Sequence, residues 1–315
     1  MTRIPTFSDI EKAHELIRPY IHRTPVMTSQ SINEIVGAQL FFKCENLQKV
    51  GAFKFRGACN SVFSLTDEEA AKGVCTHSSG NHAAALALAA RMRGIPAYIV
   101  MPSNAPDIKK KAVAGYGAQI TFCEPTLAAR ESTLRQVAEQ TGAKEIHPYN
   151  YFNVICGQGT AAKELIEDTD GLDIVMAPVG GGGLLSGTAL SAKAMLPHVQ
   201  VIAAEPAGAD DAFRSFQSHT LQPSVAPKTI ADGLLTSLGE ITFAIIINEV
   251  DQIVTVSEEK IVEAMRMIWE RMKIIIEPSS AVPLAAILEN KLDVKGKRVG
   301  IILSGGNVDL ESLPF

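Results

Sequence analysis

The sequence predicts an α/β protein built on two open, mostly parallel sheets with helices on both faces. Short apolar segments alternate with helical segments between Gly73 and Pro148, which is the pattern of parallel strands joined by helices. Further apolar strands are predicted at 173–179, 201–205 and 298–303. Because helices cover both faces of a parallel sheet, its strands are almost continuously apolar, as these are.

The chain is long enough for two domains. It has 315 residues, 46% of them hydrophobic, and a domain usually contains about 100–200 residues. The strand–turn–helix block interrupts a longer pattern that resumes after it. We therefore predict a large domain formed by residues 1–70 and 149–315, with a small mobile domain at 71–148 inserted between its halves.

Capping and turn signals indicate where the elements begin and end. Ser8-Asp9-Ile10-Glu11 and Thr66-Asp67-Glu68-Glu69 have the sequence of capping boxes, so each is expected to begin a helix. Other helices are predicted up to Gly94, from Pro106, over Thr126–Thr141, from Gly157-Gln158-Gly159-Thr160 to Glu167, and over Leu184–Leu196 and Glu258–Met272. Other strands are predicted over Leu40–Glu45, Val74–Thr76, Ala97–Met101 and Gln119–Cys123.

Composition argues against several classes of protein. The net charge of −5, with no basic run beyond Lys109–Lys111, argues against binding to nucleic acid or to an anionic membrane. The five cysteines are scattered and form no Cys-x-x-Cys pair, which indicates reduced core thiols. Apolar runs such as Phe243–Ile247 are too short to span a bilayer, and the first residues lack a signal-peptide pattern. We therefore expect a cytoplasmic protein.

The segment Gly51–Ala58 contains the first candidate for catalysis. Lys54 lies between two phenylalanines in a stretch closed by small residues. A lysine held against apolar rings is poorly solvated as a cation, so its pKa falls and the neutral, nucleophilic amine becomes accessible. Such an amine can form a Schiff base with a carbonyl or with pyridoxal phosphate. The alternative is a surface lysine whose stem lies along apolar neighbours.

Gly180-Gly181-Gly182-Gly183 joins a predicted strand to a predicted helix. Without Cβ atoms the backbone can turn its N–H groups toward one point, where the helix dipole favours an anion such as phosphate. A tight turn is the alternative. A nicotinamide dinucleotide would need Gly-x-Gly-x-x-Gly and an acid about 20 residues further on. Glu205 fits that spacing, but Ser186 occupies the third glycine position, so this interpretation is the weaker one.

Three more polar clusters follow predicted strands. Ser78-Ser79-Gly80-Asn81-His82 could cap a helix, or it could bind a substrate carboxylate and leave one hydroxyl to move a proton. His82 is interpreted as a helix-start residue. Ser304 follows the last strand, where open parallel sheets bind ligands, although it could also cap a helix. The acids of 205–211 form either a solvated loop or, with a backbone carbonyl, a site for Mg²⁺ or Ca²⁺.

Together these motifs resemble the fold type II (tryptophan synthase β-like) pyridoxal-phosphate enzymes, specifically the serine racemase and serine/threonine dehydratase family. The resemblance runs nearly end to end, with four separated motifs in the same order. It implies that Lys54 forms the Schiff base and acts as a base at the substrate Cα. The other implied cofactor contacts are Phe53 on the pyridine ring, Asn81 on the 3′-oxygen, Gly180, Gly181, Gly182, Gly183 and Leu184 on the phosphate, and Ser304 at the ring nitrogen. Since a serine hydroxyl is neutral, the ring is expected to be a mild electron sink.

Ser79 narrows the group of enzymes within this family that the chain resembles. The plain threonine dehydratases resemble Ser-Ala-Gly-Asn-His here, whereas this chain has a second serine. In racemases that serine stands opposite the lysine, so two bases exchange protons at Cα from both faces. The 3-hydroxyaspartate dehydratases share it, so it does not name the substrate. The substrate contacts implied by the resemblance are Ser78, Ser79, Asn81, His82 and Arg130.

The same resemblance implies a metal, an effector and a partner. Mg²⁺, Ca²⁺ or Mn²⁺ would bind Glu205, the Ala209 carbonyl and Asp211; a nucleotide effector would lie near Lys49 and Tyr116; and the chain would form a homodimer. Around Tyr149-Asn150 the sequence departs from the animal racemases and is nearer the dehydratases.

The predicted function is therefore a pyridoxal-phosphate-dependent serine racemase with serine/threonine dehydratase activity, which converts a β-hydroxy amino acid to a keto acid and ammonia. The close alternative is a 3-hydroxyaspartate ammonia-lyase that gives oxaloacetate. From other classes, a nicotinamide-dependent oxidoreductase and a non-catalytic amino-acid sensor stay open, although a pure sensor would not need Lys54.

Overall fold

The computed structural model describes residues 3–315, and of residue 108 the backbone only. The strands are β1 Val26–Met27, β2 Gln39–Cys44, β3 Val74–His77, β4 Ala97–Pro102, β5 Gln119–Cys123, β6 Lys144–Glu145, β7 Ile174–Pro178, β8 Gln200–Pro206, β9 Gln252–Val256 and β10 Arg298–Leu303. The α-helices are α1 Phe7–Ile17, α2 Gln30–Val36, α3 Lys54–Phe63, α4 Asp67–Lys72, α5 Asn81–Arg93, α6 Asp107–Gly115, α7 Leu127–Thr141, α8 Phe152–Glu167, α9 Gly183–Met195, α10 Asp211–Ser218, α11 Glu240–Glu249, α12 Glu258–Met272 and α13 Pro278–Leu288. Every described helix is too short or too polar to cross a membrane.

Two sheets organise the described chain. One has six strands in the order β1-β2-β10-β7-β8-β9 and is parallel except for the β1–β2 pair. The other has four parallel strands in the order β5-β4-β3-β6. The predicted fold class, α/β with two open and mostly parallel sheets, is confirmed.

Helices cover both faces of the six-stranded sheet. Successive side chains of β7 point to opposite faces: Ile174 and Met176 are buried with residues of α12 and α13, and Val175 and Ala177 with residues of α8 and α9. Both faces therefore need apolar side chains, which is why the strand is an unbroken apolar run. Because neighbouring strands are parallel, the turns that follow β10, β7 and β8 all lie at one edge of the sheet.

Two predicted helix starts are wrong. The first helix is capped by Thr6 rather than by the Ser8 box, because the Asp9 carboxylate accepts from the Thr6 N–H and hydroxyl at 3.0 and 2.8 Å. Helix α8 begins at Phe152, so Gly157 and Gly159 lie inside it. A Cβ at Gly157 would be 2.6 Å from the Arg56 carbonyl oxygen. These glycines permit close contact with neighbouring helices instead of opening α8.

A buried ion network fixes α3 to the rest of the molecule. Arg56 is fully buried and donates to the Glu45 carboxylate at 2.7 and 2.8 Å and to the Glu164 carboxylate at 2.9 and 2.7 Å. Lys43 Nζ lies 2.8 Å from Glu164. Burial alone would raise the pKa of Glu164, but hydrogen bonds from His14 and Arg56 and the nearby cations hold it below its usual range. Two cations thus balance two carboxylates beneath the start of α3.

Replacing Arg56 by methionine should destabilise the folded chain, because it leaves two buried carboxylates without their shared cation. We expect Arg56→Met to lower the free energy of unfolding by about 3–5 kcal/mol. Urea unfolding followed by circular dichroism measures the change. The matched control is Arg266→Met, which removes an exposed ion pair of α12 and should leave the midpoint nearly unchanged. An Arg56→Met midpoint equal to that of the control would contradict the prediction.

Candidate active site

Lys54 lies where the start of α3 meets the end of β10. The Phe53 N–H donates to the Ser304 carbonyl at 2.9 Å, and Ala52 forms an isolated antiparallel bridge with Gly305. The Lys54 amine donates to the Pro148 carbonyl at 2.8 Å and lies 5.1 Å from the centre of the Phe53 ring. The predicted lysine and the predicted last-strand serine are therefore neighbours.

The surroundings of Lys54 favour a neutral amine. Burial lowers the pKa of Lys54 to about 8, and the Glu277 carboxylate acts in the opposite direction. A lysine with this pKa has a much larger neutral fraction near pH 7 than a solvated one. Of the two flanking rings, Phe53 contacts the amine, whereas Phe55 is fully buried in the apolar core.

The four glycines between β7 and α9 present unused backbone donors. All four are buried, as is Leu184. Within residues 3–315 the N–H groups of 180–184 find no acceptor, and the first bonded N–H is that of Ser186, which donates to the Gly182 carbonyl. Buried N–H groups are nearly always paired. An anion at the start of α9 would satisfy them, and this supports the phosphate interpretation over a tight turn.

Glycine is required at this loop for a second reason. Gly182 has φ +85°, in the left-handed region. A Cβ at Gly181 would be 2.3 Å from the Tyr149 ring, and one at Gly183 would be 3.0 Å from the Tyr149 Cα. Tyr149 therefore packs directly on the loop, in space that larger residues at 181 and 183 would occupy.

The segment 146–150 links Lys54 to the glycine loop, and it was not predicted as part of the site. Pro148 accepts from the Lys54 amine, and the next residue, Tyr149, packs on the loop. His147 Nδ1 accepts from the Tyr149 and Asn150 N–H groups at 3.4 and 3.0 Å, so this segment forms a turn closed by its own imidazole. Asn150 Oδ1 then accepts from the N–H of Ile241 at 2.9 Å. The Tyr149-Asn150 departure in the sequence was the only signal for it.

Two histidines near Lys54, the buried His82 and the half-buried His147, are neutral. Burial and the Lys54 charge lower the pKa of His82 to about 3, and burial with the charges of His77 and Lys54 lowers the pKa of His147 to about 4. His82 Nε2 lies 3.1 Å from the Ile146 carbonyl, so it carries the proton. His82 Nδ1 is then a buried acceptor without a partner among the described residues.

Glu277 is a site residue that the sequence analysis missed. Asn81, the first residue of α5, donates from Nδ2 to both carboxylate oxygens of Glu277 at 3.2 and 3.0 Å. Asn307 in turn donates from Nδ2 to Asn81 Oδ1 at 2.9 Å, so the orientation of the Asn81 amide is fixed. Burial raises the pKa of Glu277 to about 7. In sequence Glu277 is only an acid before the first-turn proline of a helix, which gives no signal of a site.

The serine cluster and Arg130 come from the part of the chain that forms the four-stranded sheet. Ser78 follows β3, and its hydroxyl accepts from the Gly80 N–H at 3.3 Å. The Ser79 hydroxyl has no partner within residues 3–315 and is partly exposed. Arg130 lies in the first turn of α7, and its buried Nε has no partner among the described residues. Burial lowers the pKa of His77; the Glu131 charge opposes this, and the Arg130 charge adds a smaller lowering effect.

The predicted metal residues form a buried acidic pair. Glu205 is the penultimate residue of β8 and accepts from the N–H groups of Ala212 and Phe213 at 3.1 and 2.8 Å. Asp211 is fully buried, and neither of its oxygens has a partner in the described chain. Burial raises the pKa of Glu205 to about 9 and that of Asp211 to about 6. Each Glu205 oxygen accepts one N–H and keeps a lone pair, and both Asp211 oxygens are unused among the described residues. Two such buried carboxylates have the chemistry of a hard-cation site, so the residues present fit a divalent metal.

The residues predicted near a nucleotide effector lie in different surroundings. Tyr116 borders a cavity of about 360 Å³ together with Arg91 and Ile95. Lys49 instead lies over the Phe55 ring, 5.7 Å from its centre.

Comparison with known proteins gives the family. Residues 17–305 match the model of the pyridoxal-phosphate dependent enzymes, and the chain belongs to that family. Among its relatives, the β-hydroxyaspartate dehydratase of Paracoccus denitrificans is 56% identical and covers 99% of both chains. The crystal structure of serine racemase from Dictyostelium discoideum superposes with a TM-score of 0.92 at 55% identity, covering 97% of this chain and 99% of that one. The crystal structure of a threonine deaminase from T.th. gives a TM-score of 0.93 at 42% identity, with 97% and 99% covered.

These relatives confirm three predictions from the sequence: the fold type II architecture, a catalytic protein rather than a sensor, and pyridoxal phosphate as the cofactor type of the family. The nicotinamide interpretation is left without support. Glu205, on which it depended, is turned toward the N–H groups that begin α10.

The effect of the Glu277 charge on Lys54 predicts how cofactor binding depends on pH. The folded-state pKa of Lys54 is about 8 because burial outweighs the Glu277 charge. Glu277→Gln removes that charge, and we expect the Lys54 pKa to fall by about one more unit. The measurement is the rate at which the protein without cofactor binds pyridoxal phosphate, followed by absorbance between pH 6 and 10. The midpoint of the pH profile of this rate should move to lower pH in Glu277→Gln. It should stay in place in Glu270→Gln, an exposed change on α12. A midpoint that rises in Glu277→Gln would contradict this account.

Proposed function

We propose that this protein is a pyridoxal-phosphate enzyme that racemises serine and also removes water and ammonia from serine and related β-hydroxy amino acids. One observation carries the proposal: an amine with a pKa of about 8 is joined through Pro148 and Tyr149 to a loop whose buried N–H groups have no acceptor within residues 3–315. An amine for the aldehyde and donors for the phosphate are the two attachments that this cofactor requires. The serine racemases of Dictyostelium discoideum and Arabidopsis thaliana, at 54% and 53% identity, support the substrate class.

Each residue of the candidate site has its own proposed role. When bound, pyridoxal phosphate withdraws electrons from the substrate Cα and makes its proton acidic. In our proposal the N–H groups of Gly180–Leu184 hold the phosphate and Phe53 packs on the ring. Asn81, fixed by Glu277, binds the 3′-oxygen. The Lys54 amine would hold the cofactor aldehyde and, once the substrate amino group has taken its place there, would take the Cα proton from one face.

Ser79 is proposed as the acid–base group on the other face. Its hydroxyl is partly exposed and has no partner in the described chain, so it is free to exchange a proton with the substrate and with solvent. Ser78 and the N–H groups at the start of α5 would bind the substrate carboxylate. His82 Nδ1, a buried acceptor without a partner among residues 3–315, would accept from the substrate.

A second candidate, dehydration of 3-hydroxyaspartate, is favoured by Arg130. A substrate with two carboxylates needs a cation in addition to the serine cluster. Arg130 has a buried Nε without a partner in the described part of the chain, and its charge reaches His77. The relative at 56% identity is named a β-hydroxyaspartate dehydratase. This candidate uses the same Lys54 and Ser79.

We also propose that residues 71–148 act as a small domain that closes over the substrate. Arg130 lies on α7 of that part, and Lys109 on α6 reaches across to Asp232 at 2.5 Å. Closure through such contacts would bring Arg130 to a carboxylate and exclude water. We propose the homodimer and the nucleotide effector near Lys49 and Tyr116 from the family resemblance alone. The cytoplasmic location is proposed from the scattered cysteines and the absence of a signal-peptide pattern in the sequence.

Ser79→Ala should separate the two reactions. Without the second acid–base group we expect racemisation of L-serine to fall by about 100-fold or more, while pyruvate formation stays within a few-fold, because Lys54 alone suffices for elimination. Proton NMR in D₂O follows loss of the Cα proton and growth of pyruvate, and a chiral column measures D-serine.

Two controls accompany this test. Lys54→Ala should abolish both reactions and also the borohydride-stable attachment of the cofactor. The same tubes with 3-hydroxyaspartate decide between the two candidates, since the better substrate has the higher kcat/KM. Equal loss of racemisation and elimination in Ser79→Ala would reject the two-base proposal.

For the acidic pair we propose a bound divalent cation held by Glu205, the Ala209 carbonyl and Asp211. Without a cation, burial raises the pKa of Glu205 from 4.5 to about 9, so the folded state binds a proton that the unfolded state releases. Stability should then fall as the pH rises through that window. A cation removes this dependence because it stabilises the charged carboxylates.

Metal removal should therefore lower stability at neutral and alkaline pH. At a metal concentration 100-fold above its Kd we expect about 2.7 kcal/mol of stabilisation, which EDTA removes and Mg²⁺ restores. Asp211→Asn should abolish the response to metal. Asp210→Asn is the matched control, because Asp210 pairs with Arg214 at the surface. A melting temperature that is the same with EDTA and with Mg²⁺ at pH 8 would reject the proposed metal site.

A further inference from the structure

The acidic pair borders a mostly irregular strap, residues 219–239, which joins α10 to α11. One side chain of the strap, Ser224, has a buried hydroxyl oxygen without a partner within residues 3–315. This hydroxyl lies beside Asp211: burial raises the pKa of that carboxyl, and the nearby Ser224 hydroxyl acts against the rise. The metal site proposed above consists of Glu205, the Ala209 carbonyl and Asp211, and it gives Ser224 no role.

Three buried oxygens with unused bonding capacity are thus neighbours. Asp211 is 0% exposed, and neither of its carboxylate oxygens nor the Ser224 hydroxyl has a hydrogen-bond partner in the described chain. Buried polar atoms are nearly always hydrogen-bonded, and an ion or an ordered water is a common reason for an exception. The hydroxyl and the carboxylate do not satisfy each other, although they are a donor and an acceptor. Their arrangement favours a third group between them.

The backbone around Ser224 is held on two sides. The Ser224 N–H donates to Ser237 Oγ at 2.7 Å, which joins two parts of the strap. Arg214 Nη2 donates to the Pro223 carbonyl at 3.0 Å, which ties the strap to α10. Because Asp211 is the first residue of α10, these bonds fix the Ser224 backbone relative to the acid.

The chemistry of a hard cation gives such a hydroxyl two uses. Mg²⁺ requires octahedral oxygen ligands and usually keeps several waters. Two carboxylates and one carbonyl leave coordination positions for water, and the protons of that water need acceptors. A carboxylate that binds a metal is itself usually hydrogen-bonded by a neighbouring group. A serine hydroxyl meets both needs, since it donates one proton and accepts with two lone pairs.

We propose that Ser224 is a positioning residue for the cation: its hydroxyl donates to the Asp211 carboxylate and accepts from a water ligand of the metal. The inference rests on the proposed binding of a divalent cation at Glu205 and Asp211, and it makes the strap part of the metal site. The strap also packs on the glycine loop, because a Cβ at Gly180 would be 2.8 Å from the Leu234 Cα. Fixing Ser224 at the cation therefore fixes a segment that lies against the proposed phosphate site.

The experiment measures the Kd for Mn²⁺ with holoenzyme from which EDTA has removed metal. Electron paramagnetic resonance measures the free Mn²⁺ at each point of the titration. We expect Ser224→Ala to raise the Kd by about tenfold or more. Ser224→Thr keeps the hydroxyl and should restore most of the affinity. The matched control is Ser218→Ala, which removes an exposed hydroxyl of α10 that donates to the Arg214 carbonyl, and it should leave the Kd unchanged.

Asp211→Asn separates failure of this inference from failure of the metal site. If Asp211→Asn loses Mn²⁺ and Ser224→Ala keeps the Kd of the unchanged protein, Ser224 has no positioning role and the metal site stands. If the unchanged protein binds no Mn²⁺, or Asp211→Asn binds it equally well, the metal site is rejected as well.

Equal losses of affinity in Ser224→Ala and Ser224→Thr would also reject the inference, because the hydroxyl would not be the cause. Melting temperature and cofactor absorbance are recorded for each variant in EDTA, so that the Kd values compare folded, loaded proteins.

Discussion

The site depends on a short backbone pairing between the segment before α3 and the segment after β10. The Phe53 N–H donates to the Ser304 carbonyl, the Gly306 N–H donates to the Gly51 carbonyl, and Ala52 bridges Gly305 between them. These bonds place Lys54 beside Ser304, although the two are far apart in sequence. Since β10 lies next to β7 in the sheet, the glycine loop that follows β7 is the next turn along the same edge. The lysine, the serine and the anion-binding loop therefore follow from one strand order.

Charge, as well as apolar contact, orients the helix that carries the lysine. The guanidinium of Arg56 is planar and makes directional bonds to Glu45, beside β2, and to Glu164 on α8. An apolar side chain could slide or rotate in its contact, whereas a fork held by two carboxylates has one orientation. Arg56 is two residues after Lys54, so fixing the guanidinium fixes the start of α3. The glycines of α8 act with it, because they let the backbones approach closely.

The sequence predicted the fold because parallel strands and their turns leave local signals. The apolar runs of β7 and β10, and the four glycines that follow β7, could be recognised without the structure. The starts of α1 and α8 were wrong because similar residues have two uses: Thr6 and Ser8 can both cap a helix, and glycine can both open a helix and permit helix contact. Contacts between residues far apart in the sequence leave no local pattern of this kind.

The same difference applies within the candidate site. Lys54 and the serine cluster have recognisable neighbours in sequence, so their place in the site could be predicted. Glu277 is an ordinary residue at a helix start, and it joins the site only because α13 begins where β10 ends. Pro148 contributes through a carbonyl oxygen, which every residue has. Such contributions depend on position and not on residue type, so they become visible only when the chain is folded.

The N–H groups of 180–184, which have no acceptor in the described chain, have a consequence for the amount of the protein in a cell. Buried donors without acceptors lower the stability of the folded chain, and an anion that binds only the folded chain restores it by mass action. The folded fraction, and with it the resistance to intracellular proteases, then increases with the concentration of free cofactor. A cell short of this vitamin-derived cofactor would hold less of the polypeptide as well as a smaller active fraction of it. Cofactor supply and protein turnover are linked through one loop.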